Sequence, residues 1–293
     1  MRKILPVLLA ALTLVLTRCS NAPAESSPTQ DTTTAAVSET TPLTVTFMKV
    51  GKADGMILQT ANHTAVIDCG EKSDGKKMVA RLQEYGVETV DYLILSHYDQ
   101  DHIGGAPKVI ENFEIGHVIG AKQQEDSKRY DKLSEALDAK NLTLELPGTP
   151  TTFTLDDAEF TLYPHKAGDY RDGYDNNCSL VVKVTHHNET LLFTGDAMEE
   201  RLAEIMDIGD CDLLKVPYHG REIANLPTFL SKVTPEYAVI STNEEELAES
   251  TVTALQEIGA ETHITFQDGN IIAVSDGSSI AITTEGLPAE ETT

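Results

Sequence analysis

The sequence predicts an α/β fold, a four-layer αβ/βα sandwich in which two sheets pack together and helices cover their outer faces. Three observations support this fold class. Short apolar runs bounded by turn residues, such as 90–95, are typical of strands that are covered on both faces. Segments with helical spacing lie between these runs, such as 76–85, which stops before Gly86. The alternation occurs twice along the chain, so we expect two sheet-and-helix halves in tandem.

The first half is predicted to open with three strands, at 43–50, 56–60 and 64–68. Asn62-His63 separates the last two of these strands and is typical of a hairpin turn. Helices and strands then alternate until the end of this half. The predicted helices are 76–85, 106–113 and 127–140, and the predicted strands are 90–95, 117–120, 143–146, 152–155 and 159–163.

The second half is predicted to open with a hairpin whose strands are 180–185 and 190–193. His186 and His187 occupy the tip of this hairpin, where we expect both rings to be exposed to solvent. The remaining predicted helices are 198–206, 226–233 and 252–258, and the remaining strands are 212–216, 237–240, 262–266, 271–275 and 279–284.

The start of the chain is typical of an export signal. Met1-Arg2-Lys3 precedes an apolar run at 4–16 that is too short to span a bilayer comfortably. Leu16-Thr17-Arg18-Cys19 resembles a bacterial lipobox, except that Arg18 stands where a small residue is usual. The resemblance implies a lipid anchor on Cys19, and ordinary signal cleavage is the alternative. We therefore expect a protein that is secreted or anchored to the outer face of a bacterial cell membrane.

These patterns divide the chain into four parts. A signal peptide at 1–18 is followed by a tether at 19–42, which is rich in Thr, Ser, Ala, Pro and Glu. The tether has few large apolar side chains that could form a core, so we expect it to be disordered. One folded domain at 43–285 and a flexible tail at 286–293 complete the predicted organisation.

The charge of the chain limits its partners. Acidic residues outnumber basic ones by 47 to 22, which gives a formal net charge of −25 at pH 7. Such a field repels polyanions, so we expect no broad nucleic-acid-binding face. A phosphate ester held by metal ions in one pocket remains compatible, because bound cations reverse the local potential.

The segment 97–102 carries two histidines and two aspartates directly after the apolar run 90–95. In open α/β sheets, ligands bind where strands end. Imidazole and carboxylate together form the ligand set of zinc, manganese or iron. Asp196 and His219 also follow apolar runs, although alone they would be a helix cap and a loop residue. Their order after 97–102 makes a metal centre the stronger interpretation.

These motifs resemble those of metallo-β-lactamase-fold hydrolases, most closely the branch with the extracellular C-terminal domain of ComEC-type competence proteins and small secreted relatives. The resemblance covers about residues 45 to 285, nearly the whole domain. The motifs that carry it are Val-Gly-Lys-Ala-Asp-Gly at 50–55, Ile-Asp-Cys-Gly at 67–70, His-x-Asp-x-Asp-His at 97–102 followed by Ile-Gly-Gly, Asn-Cys-Ser-Leu-Val at 177–181, Phe-Thr-Gly-Asp at 193–196 and Lys-Val-Pro-Tyr-His-Gly at 215–220.

The resemblance implies a centre with two divalent ions, zinc or manganese. By position, His97 and Asp99 would bind the first ion, and Asp196 would bridge both ions. Asp68 would support the ligand loop from below through hydrogen bonds. The implied ligands of the second ion are Asp101, His102 and His219.

Three departures from the family pattern affect this assignment. Asp99 stands where the wider superfamily usually has histidine, a difference shared by the ComEC-like branch, and it makes manganese as reasonable as zinc. The usual third histidine is absent from 175–179, where Asp175 or an asparagine would substitute. Tyr218 replaces a histidine, and Arg221 stands where serine is frequent.

The predicted activity is metal-assisted hydrolysis by an activated water. Asp101 would orient this water or accept its proton, and Tyr218 or Arg221 would stabilise charge that develops on the substrate. The resemblance implies a phosphodiester or nucleic-acid-type substrate. Such a substrate is an anion, either a small molecule or a nucleic-acid-like one. The fold also hosts enzymes that act on lactams, lactones and thioesters. A surface metal-binding or interaction module without turnover is the remaining alternative.

Overall fold

A computed structural model describes residues 40–123, 127–166, 168, 170 and 173–287. The predicted signal peptide, Cys19, most of the tether and the end of the predicted tail lie outside these residues. Within the described ranges, every helix is too short or too polar to cross a bilayer.

Fifteen strands and nine α-helical segments occur in the described chain. The strands are β1 (Leu43–Phe47), β2 (Gly55–Gln59), β3 (Thr64–Cys69), β4 (Thr89–Leu95), β5 (Glu114–Gly120), β6 (Leu144–Glu145), β7 (Thr151–Leu155), β8 (Ala158–Tyr163), β9 (Val181–His186), β10 (Glu189–Phe193), β11 (Leu213–Lys215), β12 (Tyr237–Ile240), β13 (Glu261–Ile264), β14 (Ile271–Ser275) and β15 (Ile280–Thr284). The helices are α1 (Gly75–Glu84), α2 (Gln100–Ile103), α3 (Ala106–Asn112), α4 (Lys128–Lys140), α5 (Tyr174–Asn177), α6 (Glu199–Glu204), α7 (Leu226–Val233), α8 (Glu249–Glu257) and α9 (Thr265–Asp268).

The strands form two mixed sheets. The first sheet has the order β15-β14-β1-β2-β3-β4-β5-β6, and the second has the order β13-β12-β11-β10-β9-β8-β7. Parallel pairing occurs at β3, β4, β5 and β6 in the first sheet and at β10, β11, β12 and β13 in the second. Connections between parallel strands need crossovers, which helices α1, α3, α4, α6, α7 and α8 supply.

The core between the sheets draws apolar side chains from both of them. Phe47 of the first sheet stacks on Phe193 of the second, with ring centroids 6.0 Å apart. Two further apolar clusters fill the outer faces, one beneath α1, α3 and α4 and the other beneath α6, α7 and α8. The order of layers is therefore helix, sheet, sheet, helix, which confirms the predicted four-layer fold class.

The prediction of two halves in tandem is wrong for the strands at the edges. β7 and β8 follow the first half in sequence but belong to the second sheet, where β8 pairs with β9. β14 and β15 come last in sequence but belong to the first sheet, where β14 pairs antiparallel with β1. Apolar alternation identifies a strand and its buried face, but it does not specify a distant partner such as β14 for β1, whose paired residues Phe47 and Ile271 are 224 positions apart.

The prediction that His186 is exposed is also wrong. Side chains alternate along β9, so His186 shares the inward face of Val182 and Val184 and is only 1% exposed. Its Nδ1 lies 2.8 Å from Ser275 Oγ, and its Nε2 lies 2.9 Å from the carbonyl of Thr41. The neighbouring His187 is exposed, as predicted.

The buried ring of His186 predicts a pH-dependent stability. Burial lowers the pKa of His186, and charge repulsion from His187 acts in the same direction, while Thr41, Asp157 and Asp276 raise it. A histidine whose pKa is lowered in the folded state binds a proton more readily in the unfolded chain. Its contribution to the free energy of unfolding is therefore complete above about pH 6.5 and is lost as the pH falls below that value. We expect the unfolding free energy to fall less steeply between about pH 6.5 and pH 5 in His186→Gln than in the wild type.

Urea titrations at several pH values would measure this difference. His117→Gln is the matched control, because His117 on β5 is exposed and is not among the groups that shift the pKa of His186. Parallel pH profiles of the wild type and the H186Q variant would contradict the prediction.

Candidate metal centre

Three strand ends meet at one edge of the sandwich. β4 leads into Ser96 and His97, β10 leads into Asp196, and β11 leads into a 3-10 turn at Pro217–Gly220 that contains His219. These strands run parallel to a neighbour in their own sheet, and ligands of α/β sheets bind at such carboxyl ends. The sequence therefore brings polar side chains from both sheets to one place.

The segment after β4 bends back on itself. Asp99 is extended, with φ −70° and ψ 153°, and the single helical turn α2 then carries Asp101 and His102. This turn returns His102 to His97, whose ring centroid is 4.0 Å away. The backbone N–H of Asp54 donates to the carbonyl of Asp101 at 3.0 Å and holds the turn in place.

Histidine and aspartate side chains form four overlapping groups at this edge. In each group, the potential ligand atoms lie within 4.8 Å of one another. The groups are His97 with His102 and Asp196; Asp101 with His102 and His219; Asp54 with Asp196 and His219; and Asp54 with Asp68 and His102.

The carboxylate of Asp196 lies between two imidazoles. Its Oδ2 is 3.1 Å from His219 Nε2, and its Oδ1 is 3.4 Å from His102 Nε2. On the other side of His219, the same Nε2 is 3.7 Å from Asp101 Oδ2. Residues of the segment after β4 therefore lie close to Asp196 at the end of β10 and to His219 after β11.

The three central histidines present one ring nitrogen each to the centre. Each Nδ1 lies within hydrogen-bond distance of an acceptor oxygen, so the neutral ring would carry its proton on Nδ1. The Nε2 atoms of all three rings and Oδ1 of Asp196 are buried and have no hydrogen-bond partner. The acceptors are Asp68 Oδ2 for His102 (2.9 Å), the Ser241 carbonyl for His219 (3.1 Å) and Ser96 Oγ for His97 (3.1 Å).

Unpaired buried nitrogen and oxygen atoms of this kind are costly unless a cation binds them. Neutral imidazole nitrogens whose other nitrogen is held by a carboxylate or a carbonyl are the usual form of metal-ligating histidine. The side chains present at the centre therefore fit divalent metal ions.

Asp68 organises the segment from below. Its backbone is in the left-handed region, with φ 56°, which is uncommon for a residue with a side chain. The carboxylate accepts hydrogen bonds from the N–H of Ser96 at 2.8 Å, from Ser96 Oγ at 2.7 Å and from His102. Burial raises the pKa of Asp68, but His102 and the hydrogen bonds from His102 and Ser96 outweigh it, so the pKa lies below its ordinary value.

Charge is strongly coupled across the centre. Burial raises the pKa of Asp196, yet the neighbouring His219 and His102 hold it well below its ordinary value. Burial lowers the pKa of His102, yet Asp196 and Asp68 raise it well above its ordinary value. The buried carboxylates thus stabilise positive charge at this position.

Comparison with known proteins identifies the family. The family model of the metallo-β-lactamase superfamily matches residues 50–243, about two thirds of the chain. This chain belongs to the metallo-β-lactamase superfamily. Members of this superfamily have a metal-dependent hydrolase fold and typically bind divalent metals, often two.

The relatives of this metallo-β-lactamase-fold chain confirm the ComEC-like resemblance. ComE operon protein 3 of Bacillus subtilis is 27% identical over 57% of this chain and 22% of its own length. Competence protein ComA of Neisseria gonorrhoeae is 26% identical over 67% of this chain and 26% of its own length. The matched region thus spans about a quarter of these relatives.

A solved structure confirms the fold independently. The metallo-β-lactamase fold protein YhfI from Bacillus subtilis aligns with a TM-score of 0.53 and covers 76% of this chain and 96% of its own. Its sequence identity is 14%, so the similarity concerns the fold.

Asp99 lies at the border of the candidate centre. Its Oδ2 is 3.7 Å from His97 Nε2, but its Oδ1 accepts a 2.8 Å hydrogen bond from Arg129 Nη2. The nearby ring of His97 lowers the pKa of Asp99, burial opposes this effect, and the charge of Arg129 lowers the pKa further. Asp99 is therefore an ionised carboxylate that belongs to none of the four groups among the described residues.

The segment 175–179, where the family usually has a third histidine, forms other hydrogen bonds in this chain. Asp175 lies on α5 and accepts a hydrogen bond from Gln123 Nε2 at 2.8 Å. The neighbouring Asn177 is buried, and its Oδ1 accepts hydrogen bonds from the N–H groups of Met198 and Arg201 at the start of α6. Asp175 lies outside the four groups of described residues, and Asn177 caps a helix.

Tyr218 and Arg221 form one unit beside His219. Tyr218 and His219 both have positive φ, at 50° and 53°, which turns the chain sharply after β11. The Arg221 guanidinium lies 4.9 Å from the centroid of the Tyr218 ring and donates to its hydroxyl at 3.1 Å. Arg221 also forms an ion pair with Glu246. Both residues thus flank His219 in the chain, and the charge of Arg221 is partly neutralised by Glu246.

Two buried residues of the centre lie in motifs that carry the family resemblance, but neither of them was assigned a role from the sequence. Asp54 and Lys215 are both fully buried and form an ion pair. Burial lowers the pKa of Lys215, but Asp54 and Asp196 outweigh it and raise the pKa above its ordinary value. The available signal was a lysine within the apolar run 213–216, because a charge at such a position requires a buried partner.

Proposed function

We propose that this chain is a hydrolase that uses two divalent metal ions to cleave a phosphodiester. One observation carries the proposal. Three imidazole nitrogens and one carboxylate oxygen, from His97, His102, His219 and Asp196, converge in a buried site without hydrogen-bond partners. This donor set would hold zinc or manganese.

The two ions would share Asp196. His97 and Asp99 would hold the first ion, and Asp101, His102 and His219 would hold the second ion. Bound divalent ions would supply Lewis acidity and a water that is deprotonated near neutral pH. The remaining steps belong to the side chains of the chain.

Asp101 is placed to handle a proton. Its carboxylate is only 17% exposed and lies 3.7 Å from His219 Nε2 and 3.8 Å from Lys52 Nζ. A carboxylate at the mouth of the site accepts a proton from the attacking water and delivers it to the leaving group. Lys52 is 37% exposed and supplies positive charge beside an anionic ester.

Two observations support a phosphodiester as the substrate. The relatives are a competence protein and a ComE operon protein, and the ComEC-like resemblance implies a phosphodiester or nucleic-acid-type substrate. Metal ions together with Lys52 offer the positive charge that a phosphate needs in a chain of net charge −25. The same net charge favours a small phosphodiester or a strand end over a long duplex.

The proposed location is the outer face of a bacterial membrane. The basic start of the chain, the apolar run at 4–16 and Cys19 support export and lipid anchoring. In this location the enzyme would act on extracellular phosphodiesters.

Activity of the metal-loaded chain tests the proposal. The purified protein, loaded with Mn²⁺ or Zn²⁺, is expected to hydrolyse bis-p-nitrophenyl phosphate and single-stranded DNA, and to lose this activity with a chelator. A lactam, a lactone and a thioester serve as comparison substrates. Hydrolysis of one of these, with no cleavage of either phosphodiester, would exclude the proposed substrate class.

A metal-binding module without turnover is the second candidate. The use of Asn177 as a helix cap and the placement of Asp175 outside the four groups favour it, because they leave the first ion with fewer protein ligands. Two bound ions per chain without hydrolysis of any ester class would support this second function.

A further inference from the structure

The ion pair of Lys215 and Asp54 lies directly behind the metal ligands. Lys215 is the last residue of β11, and its ammonium contacts the carboxylate of Asp54. The same ammonium lies 3.2 Å from the carbonyl of Gly195, to which it donates, and 3.9 Å from Asp196 Oδ1. Both residues of the pair are 0% exposed.

The carboxylate of Asp54 faces the two rings assigned to the second ion. Its Oδ1 is 3.7 Å from His219 Nδ1, and its Oδ2 is 3.8 Å from His102 Nδ1. These are the ring nitrogens that point away from the centre, opposite the unpartnered Nε2 atoms. The pair therefore borders three proposed ligands of the second ion from the side that substrate does not reach.

The pair also joins the two sheets at this point. Lys215 belongs to the second sheet, whereas Asp54 lies in the loop between β1 and β2 of the first sheet. The backbone of Asp54 donates to the carbonyl of Asp101, a further proposed ligand of the second ion. A shift between Asp54 and Lys215 would thus change the distances between ligands from different sheets.

Stability alone does not account for this pair. Removing two charges from water is expensive, and apolar residues of similar volume often stabilise a core equally well. The two charged groups must stay in contact in the folded chain, because separating them would leave two buried charges unpaired.

We propose that the buried Lys215–Asp54 pair is a positioning device that sets Asp196, His102 and His219 at the spacing needed to bind the second metal ion. The inference rests on the proposed two-ion centre. It states that tight binding of the second ion depends on this pair. Neither residue touches substrate.

A double variant separates positioning from stability. In Lys215→Met or Asp54→Asn alone, one buried charge loses its partner, so these variants are expected to unfold at lower urea concentration. The double variant D54N/K215M removes both charges and is expected to recover most of the wild-type urea midpoint. Its second ion is nevertheless expected to bind at least about 10-fold more weakly, as when groups that orient ligands are lost.

The experiment measures ion content and spectra of the full-length chain. Stepwise titration with Co²⁺ would give the stoichiometry and the visible absorption of each ion, and Mn²⁺ would be counted by elemental analysis. R81M/E285Q is the matched control, because Arg81 and Glu285 form another ion pair between distant parts of the chain. We expect two ions in the wild type and the control, and one tightly bound ion in D54N/K215M.

The outcomes distinguish the inference from the function on which it rests. Two tightly bound ions with unchanged cobalt spectra in D54N/K215M would overturn the positioning role and leave the two-ion hydrolase intact. Fewer than two ions in the wild type would overturn the two-ion centre and the inference with it.

Discussion

Replacing Asp196 with alanine is expected to reduce the metal content of the chain from two ions to fewer than one. Asp196 lies between His102 and His219 and is the only one of the proposed ligands assigned to both ions. Hydrolysis of bis-p-nitrophenyl phosphate is expected to fall by more than about 100-fold, since even losing a group that merely supports a ligand costs 10–100-fold.

Elemental analysis and a rate assay of the same preparation would measure both effects. Asp210→Ala is the matched control, because Asp210 is an exposed carboxylate that precedes β11, at the end of this strand opposite to His219. Two ions per chain in the D196A variant would contradict the bridging role, and unchanged hydrolysis would contradict the metal-dependent mechanism.

The fold class could be predicted because its signals are local. Each strand of the sandwich interior has a period of two or a short apolar run, and the helices show the wider spacing of a single apolar face. Gly86 follows the end of α1 with φ 70°, as the sequence indicates for a residue after a helix. These features depend on neighbours within about ten residues, so they are readable without the structure.

The assignment of edge strands to sheets could not be predicted in the same way. β14 and β1 pair through Leu43 and Ser275, which are separated by most of the domain. Burial of His186 depends on the same pairing of β14 with β1, because Ser275 of β14 is the hydrogen-bond partner of its ring. A hairpin tip in sequence thus becomes an interior position only when the final strands return to the first sheet.

The candidate centre shows the same division between local and long-range information. His97, Asp101 and His102 share one short segment, so their spacing alone indicated a metal site. Asp54 and Lys215 lie in two separate motifs, and their ion pair is visible only when both partners are placed in space. The structure also shows that Arg129 holds Asp99, a contact between α4 and the segment after β4 that the sequence does not encode locally.

Replacing Gly105 with alanine is expected to destabilise the domain by about 3 kcal/mol or more and to release metal with it, because this overpacking is against backbone. A Cβ atom at Gly105 would lie 2.1 Å from the carbonyl oxygen of Cys69 and 2.9 Å from the Cα of Gly75. Its N–H also donates to the carbonyl of Gly70 at 3.0 Å, so the segment that carries His102 cannot move away without losing this hydrogen bond.

Urea unfolding and ion content would be measured together for Gly105→Ala. Gly148→Ala is the matched control, because a Cβ at Gly148 meets no atom within 4 Å and its φ is not positive. The φ of Gly105 is −84°, which alanine adopts without backbone strain. The loss of stability would therefore measure only the clash between the added Cβ and the backbone of Cys69 and Gly75. A stable G105A variant with two bound ions would show that the loop after α2 adapts, and that the tight contact with Cys69 is not what holds His102 in the centre.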